Sequence, residues 1–312
     1  MSRTALIAVG GNSLIRAGER GTIEDQMGNA RRTAAAIVEL MQKDLQLIIT
    51  HGNGPQVGAA LLRSERASAQ VYSHSLDVCD ATTQGEIGYV LQQSLHNELA
   101  AAGLQIPVAT VLSQVVVSAD DPAMQKPTKP IGPFYSREDI EQRRQRFGWE
   151  IVEDAARGYR RVVPSPEPIE IIEEDIIGDL LSQGVLVIAV GGGGIPVVRR
   201  NGKLAGVEAV IDKDRASALL ASRLEVDLFV IATEVDRVSL DYRKPTQKAL
   251  GQVTAGELEK HLRDGQFPPG SMGPKVESAL RFLRDGGKEV IITSYEYLCE
   301  AVEGSAGTHI TA

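Results

Sequence analysis

The chain has 312 residues, of which 43% are hydrophobic and 24% are charged, and its formal net charge is -8. This composition is typical of a globular protein with a large core, organised as one large domain or two modest ones. The acidic balance argues against a nucleic-acid surface, because neutralising nucleic-acid phosphates needs clustered cations. The sequence contains no run of about 18 apolar residues, so we expect no membrane span and a soluble protein.

The cysteines and histidines give no sign of a metal site or a disulfide. Cys79 and Cys299 lie far apart without metal-ligand spacing, and the five histidines form no ligand motif. We therefore expect reduced thiols and no metal ligands among the side chains. The apolar run at the N-terminus is only about six residues long, too short for a secretory signal. Together these features predict a cytoplasmic protein.

The first two predicted strands, residues 4–9 and 45–50, both end in short loops of glycine and asparagine. An amphipathic helix is predicted between them, over residues 27–44, from apolar residues at three- and four-residue spacing. Because parallel strands end at the same edge of a sheet, we expect the two loops to meet where ligands bind. The loop residues are Gly10, Gly11 and Asn12 after the first strand and Gly52, Asn53 and Gly54 after the second.

The middle of the chain changes in character. Helical spacing predicts a long helix over residues 83–103, and the next apolar run predicts a single strand over residues 106–117. Residues 118–168 are polar and rich in proline, with a basic helix predicted over residues 138–146. A segment of about 50 residues of this kind predicts a small protruding subdomain or lid, inserted in one domain that spans residues 1–312.

An apolar strand predicted over residues 185–190 ends abruptly at four glycines. Residues 191–194 have no Cβ atoms, so the backbone can turn sharply and direct its N–H groups at a small anion. A hairpin with Asn201-Gly202 at its turn follows. The apolar pair Val210-Ile211 then predicts a strand end that runs into a helix at residues 212–214.

Three lysines stand at positions suited to binding phosphate. Lys213 lies between two aspartates at the start of a predicted helix, and helix N-termini attract anions. Lys275 follows a flexible loop that opens the helix predicted over residues 276–284. Lys129 lies among prolines that stiffen the inserted segment. Each motif alone also suits a structural role, as a solvated turn, an ordinary helix start or a proline-rich loop, but the nearby glycines favour a phosphate site around Lys213.

The common nucleotide-binding motifs are absent or incomplete. The P-loop pattern G-x-x-x-x-G-K-[ST] does not occur, and the chain lacks the H-R-D and D-F-G motifs of protein kinases. Glycines 52, 54 and 58 resemble a loosened dinucleotide fingerprint. Their spacing is wrong, however, and the first strand carries no such motif. The sequence therefore indicates a phosphoryl-transfer site of another kind.

The order of these motifs closely resembles that of the carbamate kinases, which belong to the amino acid kinase superfamily. The resemblance runs the whole length of the chain and includes the proline-rich segment. The motifs that carry it are AVGGN (8–12), THGNGPQVG (50–58), PTKP (127–130), GGGG (191–194), IDKD (211–214) and SMGPK (271–275).

The resemblance implies a three-layer αβα sandwich with a mainly parallel central sheet, a protruding subdomain and a homodimer. It also implies reversible phosphoryl transfer in which ATP and carbamate give ADP and carbamoyl phosphate. The catabolic direction, associated with arginine metabolism, makes ATP. Mg²⁺ would be held mainly by the nucleotide phosphates and water. Such in-line transfer needs placement and charge neutralisation rather than a phosphorylated side chain.

The resemblance implies functional roles for the matching positions of this sequence. Lys129, Lys213 and Lys275 would be catalytic, and Asp214 would orient lysine. Carbamate and the transferred phosphoryl group would be held by Gly10, Gly11, Asn12, Gly52, Asn53, Gly54, Gly192 and Gly193. The nucleotide would be bound by Asp212, Thr233, Glu234, Val235, Tyr242, Met272, Gly273 and Pro274.

Two departures from the wider superfamily bear on specificity. Glu234 stands where many members have aspartate, which leaves the nucleotide preference open. Ala8-Val9 stands where many members have a lysine before the glycine pair. Carbamate kinases share this second departure, which favours them over kinases of amino acids. Two alternatives remain: another acyl-phosphate-forming amino acid kinase, and a non-catalytic nucleotide-binding regulatory protein of the same fold.

Overall fold

The computed structural model describes residues 3–10, 14–16, 18–153, 158–268 and 270–312, without the side chain of Arg146. The strands in these ranges are β1 (Arg3–Val9), β2 (Leu45–His51), β3 (Val108–Thr110), β4 (Gln114–Val117), β5 (Lys129–Tyr135), β6 (Glu150–Glu153), β7 (Tyr159–Val163), β8 (Pro168–Ile171), β9 (Leu186–Ile188), β10 (Ile195–Arg200), β11 (Lys203–Gly206), β12 (Leu228–Thr233), β13 (Ser239–Leu240), β14 (Lys248–Ala249), β15 (Gln252–Thr254), β16 (Glu289–Ser294) and β17 (Thr308–Thr311). The helices are α1 (Ile23–Met41), α2 (Gly54–Ala67), α3 (Leu76–Ala101), α4 (Pro122–Gln125), α5 (Arg137–Phe147), α6 (Glu174–Ser182), α7 (Lys213–Arg223), α8 (Ala255–Arg263), α9 (Met272–Arg284) and α10 (Leu298–Val302).

A central sheet of eight strands in the described ranges organises the fold. Its order is β15, β17, β16, β12, β1, β2, β9, β3. Neighbouring strands are parallel except for the antiparallel pair of β16 and β17. Successive side chains of a strand point to opposite faces of the sheet, and in this sheet both faces are buried. In β1, for example, Leu6 and Ala8 face one core while Ile7 and Val9 face the other.

Helices cover both faces of this sheet. Side chains from α1, α3 and α10 pack in one core, and side chains from α6, α7, α8 and α9 pack in the other. The predicted apolar stripe of α3 is buried throughout, at Ile87, Val90, Leu91, Leu95 and Leu99. The predicted three-layer sandwich with a mainly parallel sheet is therefore confirmed.

Three helices begin earlier than predicted. Helix α9 begins at Met272 rather than at residue 276, so Lys275 lies within its first turn instead of before it. Helix α1 begins at Ile23 because Thr22 and Asp25 form a capping box, in which each side chain accepts a hydrogen bond from the other residue's backbone N–H. Helix α3 begins at Leu76, directly after Ser75, rather than at residue 83. The additional turns of α3 carry Asp80, which proves to lie beneath the candidate site.

The single strand predicted over residues 106–117 is wrong. The structure has two strands there, β3 in the central sheet and β4 in a smaller sheet of order β11, β10, β4, β8. Ser113 separates them. Its backbone N–H donates to the Gln84 side chain (2.9 Å), and its carbonyl accepts from that side chain (3.1 Å). Because an amide side chain satisfies the backbone there, the chain can leave one sheet and enter another.

The strand end predicted at Val210-Ile211 is also wrong. These residues are irregular, and both side chains are buried. The backbone N–H of Val210 donates to the carbonyl of Pro164 (3.0 Å). Tertiary packing thus explains the apolar residues that suggested a strand.

In contrast, the hairpin predicted at Asn201-Gly202 is confirmed, with β10 and β11 joined by two residues at positive φ.

Residues 118–168 include a compact unit outside the central sheet. Strands β5, β7 and β6 form a three-stranded antiparallel sheet in that order, and the predicted basic helix is α5. Strand β5 packs against α2, where Gly58 lies against Gly132. The assignment of residues 118–168 as an inserted subdomain within one domain stays a prediction.

The described helices include none that is long and apolar enough to cross a membrane. Cys79 and Cys299 are both free and buried.

Candidate phosphoryl-transfer site

The loops after four central strands meet at one edge of the sheet. Strands β1 and β2 end together, with Val9 opposite His51, and the backbone N–H of Gly52 donates to the carbonyl of Val9 (3.1 Å). The glycine turn follows the neighbouring strand β9, and Thr233 ends β12 on the other side of β1. This edge borders a cavity of about 400 Å³, as expected where parallel strands end.

The cavity collects most of the residues that the sequence singled out. Those lining it are Lys129, Lys213, Lys275, Asp212, Asp214, Gly52, Asn53, Gly54, Gly192, Thr233, Glu234 and Pro274. Arg160 of β7 also lines it and was missed, because nothing distinguishes it in sequence from its neighbour Arg161.

A buried aspartate between two lysines forms the centre of the site. Lys213 donates to one carboxylate oxygen of Asp214, and Lys275 donates to the other at 3.0 Å. Asp214 is 3% exposed. The two ammonium groups belong to different helices, α7 and α9, so this carboxylate positions one lysine relative to the other.

The ionisation of this cluster reflects burial and pairing together. Burial by itself raises the pKa of Asp214, but Lys213 and Lys275 outweigh it and hold that pKa well below its usual value. For Lys213, burial is the larger effect and lowers the pKa, although Asp214 opposes it. For Lys275, the attraction of Asp214 outweighs burial and raises the pKa. The carboxylate of Asp214 therefore opposes both burial and the neighbouring charge of Lys275, each of which lowers the pKa of Lys213.

A second ion pair joins the inserted segment to helix α7. Nζ of Lys129, at the start of β5, lies 2.5 Å from Oδ2 of Asp212. The other oxygen of Asp212 caps α7 by accepting from the backbone N–H of Asp214 (2.9 Å). Burial by itself raises the pKa of Asp212, and Lys129 outweighs it and lowers the pKa. Asp212 thus holds Lys129 at the cavity and also stabilises the helix that carries Lys213.

The contact between Gly58 and Gly132 should be sensitive to any added atom. A Cβ atom on Gly58 would lie 2.0 Å from Cα of Gly132, so β5 would have to move away from α2. We expect Gly58→Ala to lower the free energy of unfolding by about 1–3 kcal/mol, the usual cost of overpacking, as measured by urea denaturation. Gly28→Ala, in α1 with open space around it, is the matched control. Equal unfolding midpoints for the two variants would contradict this prediction.

The glycine turn after β9 has a backbone that other residues rarely adopt. Val190 has φ of 50°, and Gly192 and Gly193 have φ of 70° and 98°. A Cβ atom on Gly192 would lie 2.3 Å from Nδ2 of Asn53, so glycine lets the Asn53 amide pack against this turn. The N–H of Gly193 donates to the carbonyl of Val190 (3.1 Å), and Gly193 does not line the cavity.

A layer of buried polar side chains lies behind the cavity. Asn53 donates from Nδ2 to Oδ1 of Asp80 and to Oγ1 of Thr83, both at 2.9 Å. Burial raises the pKa of Asp80 well above its usual value, against the hydrogen bond from Asn53. Burial also lowers the pKa of His51 to about 4, so this histidine is neutral at pH 7. No motif in the sequence indicates this layer, because Asp80 precedes the predicted helix and Thr83 looks like an ordinary residue at its start.

A second cavity, of about 500 Å³, adjoins the first. Glu234 lines both cavities, and the second also contains Val235 and Tyr242 from the predicted nucleotide site. Tyr297, Ala306 and Gly307 line it as well; these were missed because they come from the C-terminal part of the chain, where the sequence shows no recognisable motif.

Some predicted residues lie away from both cavities. Met272 packs against a hydrophobic core, and Gly273 donates its N–H to the carbonyl of Pro268 (2.9 Å), so both have structural contacts. Gly10 follows β1 beside Ala232 and lines neither cavity. Gly11 and Asn12 lie outside the described residues. The functional roles expected for these five residues and for Gly193 stay predictions, as do those of the residues that line the two cavities.

The donor groups of the cavity suit phosphate better than direct metal coordination. Within the described ranges, no group of three or more histidine, cysteine, aspartate or glutamate side chains could hold a metal ion. The carboxylates of Asp212 and Asp214 are both paired with lysines.

A sheet edge with glycine loops and converging lysines is typical of phosphate-handling α/β proteins. Comparison with known proteins identifies the family within this class. The model of the amino acid kinase family matches residues 3–294, and the chain belongs to this family. It is 48% identical to a carbamate kinase of Thermococcus kodakarensis over 99% of both chains, and 44% identical to one of Pyrococcus horikoshii over the full length of both. The structure matches a carbamate kinase of Giardia lamblia bound to AMP-PNP, with a TM-score of 0.92, 39% identity, and coverage of 100% of this chain and 99% of the other.

Within the amino acid kinases, the chain therefore groups with the carbamate kinases, and it is a kinase enzyme. The family resemblance predicted from the motifs is confirmed.

Proposed function

We propose that this chain catalyses reversible phosphoryl transfer between ATP and carbamate, with Mg²⁺ required. The observation that carries the proposal is the convergence of Lys129, Lys213 and Lys275 on one cavity, each paired with a buried aspartate. A transferring phosphoryl group carries negative charge on its equatorial oxygens, which preorganised cations stabilise. Similarity to carbamate kinases along the whole chain supports carbamate as the acceptor.

The two adjoining cavities suggest how the nucleotide binds. We place the adenosine part in the cavity lined by Val235 and Tyr242, with the phosphates extending past Glu234 toward Lys213 and Lys275. The Giardia relative bound to AMP-PNP supports nucleotide binding by this fold. Glu234, at the junction, is the residue we expect to influence nucleotide preference.

The proposed reaction needs positioning rather than a nucleophilic side chain. An oxygen of carbamate attacks the γ-phosphorus of ATP, and a new O–P bond forms. The bond to the β,γ-bridging oxygen breaks, and its electron pair leaves with ADP. The lysines neutralise the phosphate oxygens, while the loops at Gly52 and Gly192 keep both reactants in line. No phosphoenzyme is formed.

Magnesium, when bound, supplies further charge neutralisation on the phosphate oxygens of the nucleotide. Because Asp212 and Asp214 are engaged by lysines, we propose that the nucleotide phosphates and water hold the ion. The chain's own contribution would be the ammonium groups of Lys213 and Lys275, which would bind phosphate oxygens directly.

The direct test is ATP formation from ADP and carbamoyl phosphate, with Mg²⁺ and with EDTA in its place. We expect ATP formation that depends on Mg²⁺. In the opposite direction, ADP release from ATP should require carbamate, and glutamate, aspartate or N-acetylglutamate should not replace it. Activity with one of these amino acids instead would support a different amino acid kinase, and nucleotide binding without turnover would support a regulatory protein.

Four further features form part of the proposal. We expect a homodimer, a cytoplasmic location and a role in arginine metabolism. We also expect residues 118–168 to move when ligands bind, because Lys129 is carried by this segment rather than by the central sheet. The same segment in an identical position with and without nucleotide would contradict the last of these expectations.

A further inference from the structure

Asn53 lines the proposed phosphoryl-transfer cavity, yet both hydrogens of its side-chain amide point away from it, into the protein. Nδ2 donates to Oδ1 of Asp80 and to Oγ1 of Thr83, each at 2.9 Å. Asp80 and Thr83 are 1% and 0% exposed. An amide group has only two N–H donors, so this nitrogen has none left for a ligand.

The direction of the amide is determined by the hydroxyl group of Thr83. Oγ1 of Thr83 donates its only hydrogen to the backbone carbonyl of Asp80 (2.9 Å). Towards Asn53 it can therefore only accept, which requires the nitrogen of the amide rather than its oxygen. This argument holds whether or not Asp80 carries a proton.

The amide oxygen of Asn53 is consequently the polar atom left for the cavity. No described residue donates a hydrogen bond to this oxygen. The oxygen is also not among the fully buried side-chain atoms that lack a hydrogen-bond partner, so part of its surface is accessible. The backbone carbonyl of Asn53 is already used, because it accepts from Val57 at the start of α2 (2.8 Å). The amide also packs against Gly192, where a Cβ atom would collide with it.

A fixed acceptor at this place distinguishes substrates that are otherwise nearly the same shape. Carbamate carries an amino group beside its carboxylate, whereas acetate carries a methyl group of similar size. An N–H group can donate to the amide oxygen of Asn53, and a methyl group cannot. Sites built to hydrogen-bond a substrate group strongly reject analogues that lack it, because the site's own polar group then loses its partner.

We infer that Asp80 and Thr83 are positioning residues that hold the Asn53 amide with its oxygen toward the cavity, so that the site selects an acceptor bearing N–H. The inference rests on the proposed function and deepens it, since it names the part of the substrate that is recognised. Asn53 touches the substrate, while Asp80 and Thr83 act only through Asn53.

The test compares carbamoyl phosphate with acetyl phosphate as the phosphoryl donor to ADP, using kcat/KM for each. We expect the unaltered enzyme to prefer carbamoyl phosphate. In Thr83→Val, which keeps the side-chain shape but offers no acceptor, the preference should fall by about tenfold, chiefly through loss of activity with carbamoyl phosphate. Thr83→Ser keeps the hydroxyl group and should restore the preference. Thr82→Val, the same change at the exposed neighbouring position of α3, is the matched control.

The outcomes separate this inference from the proposed function. An active Thr83→Val enzyme with unchanged preference would overturn the inference alone, and so would an unaltered enzyme that uses both donors equally well. The latter result does not depend on whether any variant folds. An unaltered enzyme that makes no ATP from carbamoyl phosphate would overturn the proposed function, and the inference with it.

Discussion

Lys213→Ala is expected to lower kcat by at least about a hundredfold while the protein stays folded. Lys213 lies in the cavity with 11% of its side chain exposed, held by a buried aspartate. Removing one preorganised donor to transition-state charge typically costs roughly 3 to 4 kcal/mol of barrier height, which corresponds to a factor of this size. Folding should survive because Asp214 keeps Lys275 as a partner.

The measurement is the steady-state rate of ATP formation from ADP and carbamoyl phosphate, with circular dichroism to verify the fold. Lys203→Ala removes an exposed lysine of β11 and should leave the rate unchanged. A folded Lys213→Ala protein with near-normal kcat would remove this lysine from the mechanism.

Asp214→Asn is expected to lower both activity and stability. The change leaves the buried ammonium groups of Lys213 and Lys275 without their shared counter-charge, and removing one member of a buried ion pair typically costs about 3–5 kcal/mol. Burial already lowers the pKa of Lys213, and loss of the carboxylate should lower it further. A lysine is a cation only below its pKa. The loss of activity should therefore deepen as the pH rises and be partly relieved as the pH falls.

Urea denaturation and a pH profile of kcat measure the two effects separately. Asp120→Asn, at an exposed turn, is the control for the change in net charge. If Asp214→Asn unfolded at the same urea concentration as the unaltered protein, the carboxylate would not be the stabilising partner proposed here. A constant ratio of variant to unaltered kcat across the pH range would show that Lys213 keeps its proton without Asp214.

Much of the fold was predictable because local patterns and tertiary structure agree in the central sheet. The apolar runs of β1, β2 and β12 are buried on both faces, as their composition indicated. Where a predicted strand was wrong, a hydrogen bond between residues far apart in sequence determined the backbone conformation, and the local apolar pattern did not. Gln84 satisfies the backbone of Ser113 and divides the strand predicted over residues 106–117. Neither partner could be identified from its immediate neighbours.

The candidate site was predictable to the extent that its residues stand in motifs. Lys129, Lys213 and Lys275 were each identified from local sequence, but none of the three motifs was decisive alone. Asp80 and Thr83 had no such signal. Asp80 precedes the helix predicted over residues 83–103, and a buried polar residue such as Thr83 looks like part of the solvated face of a helix until the packing is known. Their significance comes only from the contact with Asn53 across 27 and 30 residues.

By itself, the sequence determined the class of fold, the strand ends where glycine replaces side chains, and the cations available for phosphate. These are consequences of local chemistry: apolar periodicity, backbone freedom and fixed charge. Only the tertiary structure decided how those cations are paired and which atom of the Asn53 side chain faces the cavity. Ion pairs and hydrogen bonds of this kind join residues tens or hundreds of positions apart, and their partners become known only when the chain has folded.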